Sequence, residues 1–370
     1  MSIHVRYRFS ATSPDLARAH AEALLVEQTV ETPPIVSQRY PYVREHLMGS
    51  VESVENLGDG TYRATLALPE GVARTDVAQL LNVVFGNASI HPGIVLDGLE
   101  LPPELLDGLG PRHGLAGLQR LCGVSDRPLV ASALKPAGLS VDELAHLAYG
   151  FGLGGLDLVK DDHYLADHAF APLEPRVRAV VEMLSRAADR TGRRTRYAPN
   201  LSGTPAEVFR QAEIAQKLGA DAVMVAPMLI GLPTTAELVR DHLSVPLLAH
   251  PSFSGMNVET TVLLGQLFPL VGADAVIFAG YGGRFAIPPE TCRTMAERIR
   301  APFPGMTGAM PVPAGGMTVE RAAELVRFYG TDTMLLVGGS LLAADTLGDP
   351  AALADATRAL VEAAQTASAP

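Results

Sequence analysis

The segment Gly272–Gly280, GADAVIFAG, sets the fold. Gly-Ala-Asp closes a helix, as a left-handed cap does, and an apolar run follows at once. The same tripeptide at Gly219 precedes Ala222–Pro227, AVMVAP. Runs that are apolar throughout, rather than alternating with polar residues, mark a parallel sheet covered on both faces. Six more such runs flank these two: Leu129–Leu134, Leu156–Lys160, Thr195–Leu201, Pro246–His250, Pro311–Gly316 and Thr333–Gly339. Helix starts fall between them at Ser140-Val-Asp-Glu, Thr204-Pro-Ala-Glu, Thr234-Thr-Ala-Glu, Pro288-Pro-Glu-Thr and Thr318-Val-Glu-Arg. Most pair a Ser or Thr cap with an acid in the first turn. Eight strand–helix units of about 29 residues each predict an α/β fold with a (β/α)8 TIM barrel over residues 125–350. A doubly wound sheet would carry a glycine-rich dinucleotide loop after its first strand, where this chain has KPAGLS.

Residues 1–115 are expected to form a separate α+β, ferredoxin-like domain. It has a strand-like start (HVRYRF), a helix over Pro14–Glu27, hairpin pieces Gly49–Val54 and Tyr62–Leu68 joined by Gly58-Asp-Gly, and a second helix near Arg74–Asn82. Residues 350–370 read as an Ala-rich closing helix with a frayed tail.

Composition narrows the function. The chain has 370 residues, 48% hydrophobic and 19% charged, enough apolar material for a large core. A net charge of -11 with no basic cluster argues against nucleic acid or an anionic membrane as partner. The N-terminus lacks a signal-peptide core and no run is long enough to span a bilayer. Two cysteines without a metal or disulfide pattern fit a reducing cytoplasm.

Only three of the 29 basic residues are lysines: Lys135, Lys160 and Lys217. Against such an arginine bias, a lysine survives by chance or because arginine cannot give a neutral amine. Lys217 ends a helix, where chance suffices. The other two stand at C-terminal strand ends, where TIM barrels keep their catalytic groups. The same ends carry Asp161, Asp162 and His163, then Asn200, His250, Tyr281-Gly-Gly-Arg284, Gly315-Gly316 and Gly338-Gly339. Strand alternation puts Lys160 and Asp162 on one side and turns Asp161 away. Asp162 and His163 are suitable metal ligands. Lys160 is either their counter-ion or, as a carbamate formed with CO2, an oxygen ligand for Mg²⁺. His250 is either structural or part of the site. The paired glycines are either tight turns or a phosphate cradle of backbone N–H groups. Tyr281–Arg284 reads as a flexible lid carrying a cation.

These residues carry a resemblance. GGLDLVKDDH at Gly154–His163 resembles the GG-x-D-x-x-KDDE signature of the RuBisCO large-chain superfamily, and ALKPAGLS at Ala133–Ser140 resembles its first-strand motif KPKxGLS. The chain is similar to the RuBisCO-like (form IV) proteins over nearly its whole length. The resemblance implies a carbamylated Lys160 holding one Mg²⁺ with Asp162 and His163. It implies Lys135 as proton-transfer base, His250 at the substrate hydroxyls, and Gly316, Gly338 and Gly339 at a phosphate, to which the strand-end positions add Gly315 and Arg284. It further implies a cytoplasmic homodimer with shared sites, to which Glu27, Thr32 and Asn87 of the partner contribute.

The departures point away from carboxylation. His163 stands in place of a glutamate ligand, Ala137 in place of the second lysine, Pro251 in place of an arginine and Phe278 in place of a histidine. No lysine follows Lys217, so the mobile-loop lysine of the carboxylase is missing. One phosphate site kept and one dismantled imply a monophosphate. The resemblance thus implies a non-carboxylating enzyme that enolises a phosphorylated sugar or keto acid. An isomerase of 5-methylthioribulose 1-phosphate type leads. The alternatives are a decarboxylase or transcarboxylase/hydrolase of 3-oxo-isoapionate 4-phosphate type, and a non-catalytic sugar-phosphate-binding protein. The related diketo-phosphate enolases place a lysine where this chain has Asn87.

Overall fold

The computed structural model describes residues 2–37, 39–73, 76–342 and 348–368. It divides into two compact units. The first comprises residues 1–109 with 254–267 and 303–306, and the second comprises 110–253, 268–302 and 307–370.

The first unit follows the order strand, helix, two strands, helix, strand. Strands β1 (Ser2–Ser10), β2 (Ser50–Gly58), β3 (Thr61–Pro69) and β4 (Val95–Glu100) form an antiparallel sheet in the order β2-β3-β1-β4. Helices Pro14–Thr29 and Val77–Phe85 complete the split βαβ pattern of ferredoxin-like domains. In β1 the alternation of HVRYRF buries Ile3, Val5, Tyr7 and Phe9 on one face. The β2–β3 hairpin turns at Asp59 and Gly60, both with positive φ, which is why Gly-Asp-Gly sits there. The second helix begins after Asp76, whose carboxylate caps Ala78 N–H. The expected start at Arg74 lies outside the described residues.

The second unit contains eight parallel strands: β5 (Leu129–Leu134), β6 (Leu158–Asp161), β7 (Arg196–Ala198), β8 (Val223–Val225), β9 (Leu247–Ala249), β10 (Ala275–Ala279), β11 (Met310–Ala314) and β12 (Met334–Leu336). They pair as β12-β5-β6-β7 and β8-β9-β10-β11. A bridge from Asn200 to Met224 joins β7 to β8, and β11 packs beside β12. The result is the (β/α)8 barrel expected from the eight runs. Its interior is filled by Leu129, Ala131, Leu158, Ala198, Met224, Leu248, Ile277, Val312 and Leu336, with Leu118 as floor. Alternate residues on the same strands therefore point inward, and continuing that register past the apolar layers brings Lys160, Asp162 and His250 to the C-terminal mouth.

Capping boxes start two barrel helices as read. Ser140 Oγ accepts from Glu143 N–H in Val141–Leu153, and Thr204 does the same for Glu207 in Pro205–Lys217. Ser140→Ala is expected to cost about 1 kcal/mol, seen as a lower urea midpoint at unchanged m-value. Two other expected starts differ. Thr234 lies inside Leu232–Glu237, which begins at Gly231 with its φ of 96°. Thr318 precedes a turn, and the helix there is Ala322–Tyr329. The helix that follows β6, Leu173–Thr191, is the one that eight strand–helix units require, but no start signal marks it in the sequence, because it begins after Pro172 with no side-chain cap.

Candidate active site

At the mouth, β6 ends in Lys160, Asp161, Asp162 and His163. Lys160 is 3% exposed and its Nζ donates to the Asp161 carbonyl at 3.0 Å. Burial pushes its ammonium down to about 8, and the positive Lys135 adds to that, while Asp162 opposes it. This amine gives up its proton far more readily than an ordinary lysine.

Asp162 is also buried, at 5% exposure. Its Oδ1 accepts from Tyr164 N–H at 2.9 Å and lies 3.4 Å from His163 Nδ1. Its Oδ2 faces Lys135 Nζ at 2.8 Å and makes no other contact of hydrogen-bond geometry. Although burial alone would raise the Asp162 carboxyl, its bonds from Lys135 and Tyr164 hold it below the usual range. The His163 ring stacks on His250, with centroids 4.1 Å apart and planes 8° from parallel. Burial and the surrounding cations lower His163, so its imidazole is neutral, the state a metal ligand needs. Burial, then Lys160, pushes His250 down to about 2. Its Nδ1 accepts from Ser252 N–H at 3.3 Å, which leaves the proton on Nε2.

Asp161 points away from this group, as alternation requires. Its carboxylate meets Arg176 Nε at 3.0 Å, Tyr197 hydroxyl at 2.7 Å and Asn200 N–H at 3.1 Å. Asn200 in turn donates to the carbonyls of His163 and Leu165. This network holds the loop that carries Asp162 and His163. Arg176 and Tyr197 were not singled out from the sequence, because they come from separate elements and have no spacing signal. Phe278, in contrast, turns outward and packs on Tyr329, 6.0 Å between centroids.

Lys135, Lys160, Asp162, His163 and His250 thus converge. Among the described residues, no group of three or more His, Cys, Asp and Glu side chains is placed to hold a metal ion. Asp162 and His163 offer two donors side by side.

The glycine pairs differ from each other. Gly315 and Gly316 have φ of 85° and 102°, and the β10 loop lies directly on them: Arg284 N–H donates to Gly315 carbonyl at 3.0 Å. A Cβ at Gly316 would sit 3.0 Å from Arg284 N, so this pair also serves backbone packing. Around Gly338 and Gly339 the space is open. The N–H groups of Gly316, Gly338 and Gly339 donate to no acceptor among the described residues. Ser340 Oγ donates to Met317 carbonyl at 3.3 Å and ties the two loops together.

Expected as a flexible lid, the segment Tyr281–Arg284 is instead pinned. Gly280 N–H donates to Ala314 carbonyl, Arg284 N–H to Gly315, and Arg321 Nη1 to Tyr281 carbonyl at 3.2 Å. The physical reason is close backbone approach: a Cβ at Gly283 would overlap the Gly315 carbonyl oxygen. Arg284 itself is exposed, its guanidinium 5.0 Å above the Phe285 ring, and it is near enough to His163 to disfavour the protonated ring.

In the first unit, Glu27 and Asn87 are brought together: Asn87 Nδ2 donates to Glu27 Oε1 at 2.9 Å. It also donates to Glu31 at 3.2 Å, a residue the sequence did not single out. Thr32 is half-buried nearby in sequence. No helix among the described residues is long and apolar enough to cross a membrane.

Comparison with known proteins shows the family of the chain. A family model of the ribulose bisphosphate carboxylase large chain, catalytic domain, matches residues 114–285. The ribulose bisphosphate carboxylase-like protein 1 of Rhodopseudomonas palustris is 42% identical over 344 residues, covering 92% of this chain and 93% of that protein. The 5-methylthioribulose-1-phosphate isomerase of Rhodospirillum rubrum is 40% identical over 345 residues, covering 92% of each. The crystal structure of a Rubisco-like protein from Rhodopseudomonas palustris superposes with a TM-score of 0.88 at 39% identity, over 98% of this chain and 97% of that one. The chain belongs to the RuBisCO large-chain superfamily and, within it, to the non-carboxylating RuBisCO-like enzymes.

Proposed function

We propose that this enzyme isomerises a methylthio-ketose monophosphate of the 5-methylthioribulose 1-phosphate type, by enolising it at the mouth of the barrel. The observation that carries the proposal is the convergence of two lysines, one carboxylate and two neutral imidazoles there. Buried Lys160, with its easily lost proton, can attack CO2. An N–C bond forms, the amine proton leaves, and a carbamate with two oxygen donors results. Those oxygens, with Asp162 and His163, would hold one Mg²⁺. The ion would polarise the substrate carbonyl and stabilise the charge of an enediolate.

The remaining steps belong to the protein. Once Asp162 turns to the ion and the Lys135 ammonium has given its proton to solvent, the neutral Nζ takes the proton from the carbon beside the carbonyl, breaking that C–H bond, and returns it to the neighbouring carbon. The hydroxyl proton passes to the former carbonyl oxygen, so the net result moves one carbon-bound hydrogen and one oxygen-bound proton and changes no composition. His250 Nε2–H donates to a substrate hydroxyl. The free N–H groups of Gly316, Gly338 and Gly339, with Arg284, cradle the phosphate, and Gly315 shapes the loop that presents them. Glu27, Thr32 and Asn87 would reach the site of a second copy in a cytoplasmic homodimer. The methylthio tail needs an apolar recess. Likeness to the 5-methylthioribulose-1-phosphate isomerase of Rhodospirillum rubrum, 40% identical over 92% of this chain, supports the choice of a methylthio substrate.

A second reading, C–C cleavage of a keto-acid phosphate such as 3-oxo-isoapionate 4-phosphate, rests on Arg284. That substrate carries a further carboxylate, and Arg284 has no carboxylate partner among the described residues. One experiment separates the two. The protein is incubated in D2O with Mg²⁺ and bicarbonate, each compound is added, and proton NMR follows it, with Lys160→Arg as control. Deuterium uptake with a new ketose from the methylthio compound, lost in the variant, is the expected result. Turnover of the keto acid alone would overturn the isomerase assignment. Inertness of both would overturn both substrates.

A further inference from the structure

The β10 loop is held by a cluster the enolisation chemistry does not use. The Tyr281 hydroxyl donates to the Glu324 carboxylate. Arg321 bonds the same carboxylate twice, Nε to Oε2 and Nη2 to Oε1, each at 3.0 Å. Its guanidinium lies 5.1 Å from the Tyr281 ring centroid and also donates to the Tyr281 carbonyl. The other side of that ring system packs on Phe328, 4.3 Å between centroids. An isolated Arg–Glu pair three residues apart on a helix is worth only a few tenths of a kcal/mol. Here the pair, a ring and a carbonyl all converge on a single loop residue. Gly282 leaves no slack, because a Cβ there would press on Arg321 at 2.8–3.0 Å.

Three residues beyond Tyr281 stands Arg284. Its backbone is fixed to Gly315, while its guanidinium has neither a carboxylate partner nor a hydrogen bond among the described residues. A cation on a fixed backbone, with free N–H groups on the adjoining β11 and β12 loops, is arranged before any anion arrives. An anion binding there orders little of the protein, and affinity gains accordingly.

We propose that Tyr281, Arg321 and Glu324 are positioning residues that set Arg284 against the phosphate of the substrate. The proposal rests on the phosphate-contacting role given to Arg284 above, and it replaces lid closure by a cation fixed in advance.

The test uses inorganic phosphate as probe, followed by ³¹P NMR titration of the full chain, so it does not depend on which sugar is turned over. Arg284→Ala is expected to weaken phosphate binding about tenfold. Tyr281→Phe keeps the ring and removes one bond to a charged acceptor, and is expected to weaken binding roughly three- to tenfold. The double variant is expected to bind no more weakly than Arg284→Ala alone, because the tyrosine acts through the arginine. Glu324→Gln repeats the test from the acceptor side and stands in if Tyr281→Phe does not fold. With the proposed ketose phosphate, Tyr281→Phe and Glu324→Gln should raise KM and leave kcat in place. Unchanged phosphate affinity in both Tyr281→Phe and Glu324→Gln, or losses that add fully to that of Arg284→Ala, would overturn the clamp. If Arg284→Ala itself has no effect, the phosphate contact falls and the clamp with it, while isomerisation measured in D2O stands or falls separately.

Discussion

Lys160→Met protein is expected to be inactive when Mg²⁺ and bicarbonate are supplied, and more stable than wild type near pH 7 when they are left out. The activity loss should be roughly a thousandfold or more in kcat/KM, since a thioether can neither form a carbamate nor hold a proton. The stability gain follows from where the lysine sits. Its ammonium is pushed from the ordinary 10.5 down to about 8 in the folded chain. Below about 8 both folded and unfolded chains carry the proton, and the folded state bears the whole penalty of a buried charge. Between about 8 and 10.5 the unfolded chain still holds the proton that the folded chain has lost, so wild-type stability rises with pH across that window. The penalty at neutral pH is on the order of 3 kcal/mol. Methionine removes it at similar volume and forfeits the bond to the Asp161 carbonyl, about 1 kcal/mol. Asp162 keeps its pairing with Lys135. The net gain of about 2 kcal/mol should shrink as pH climbs past 8, measured by urea denaturation at several pH values. A variant less stable than wild type at neutral pH would make Lys160 a structural counter-ion for Asp162, the alternative left open by the sequence.

Arg176→Met should have the opposite effect and a larger one. Arg176 and Asp161 are both fully buried, and Arg176 also donates to the carbonyls of Ala166 and Ala171. Removing the guanidinium leaves a carboxylate without a compensating charge, which costs about 3–5 kcal/mol. The loop from Asp162 to Ala171 loses two anchors at the same time, so residual activity should drop even at temperatures where the protein stays folded. Asp161→Leu combined with Arg176→Met removes both charges and should recover much of the stability. Chemical denaturation of the two variants checks this. A loss below about 1 kcal/mol in Arg176→Met would mean that Asp161 takes up a proton, or that water enters, at little cost.

Much of this could be read in advance because barrel physics is local. Each strand is a short apolar run, and the mouth is whatever follows it, so Lys135, Lys160, Asp162, His163 and His250 were found by position alone. Capping boxes at Ser140 and Thr204 were legible for the same reason. The start of helix Leu173–Thr191 carries no such signal, because Pro172 gives it no capping side chain. The support behind the site was not legible either. Asp161, Arg176 and Tyr197 meet across a strand, a helix and a second strand, and no spacing in the chain predicts that meeting. The loop after β10 reads as flexible from its glycines, and the sequence does not show what those glycines pack against. Glycine there permits contact between two backbones rather than motion, as Gly283 against Gly315 shows.

The motif GGLDLVKDDH runs along the barrel from one end to the other. Its first half is structural: Gly154 packs where a Cβ would meet Thr357, and Asp157 takes a bidentate bond from Arg127 at 2.6 and 2.8 Å. Its second half is Lys160, Asp162 and His163. A single ten-residue string therefore encodes two kinds of phenotype. Substitutions before Val159 should behave as temperature-sensitive alleles, lowering how much protein accumulates while leaving surviving molecules competent. Substitutions of Lys160, Asp162 or His163 should behave as temperature-independent alleles, abundant but inactive, whereas Asp161, paired with buried Arg176, belongs with the structural half. Growth temperature alone would then divide the motif at its middle.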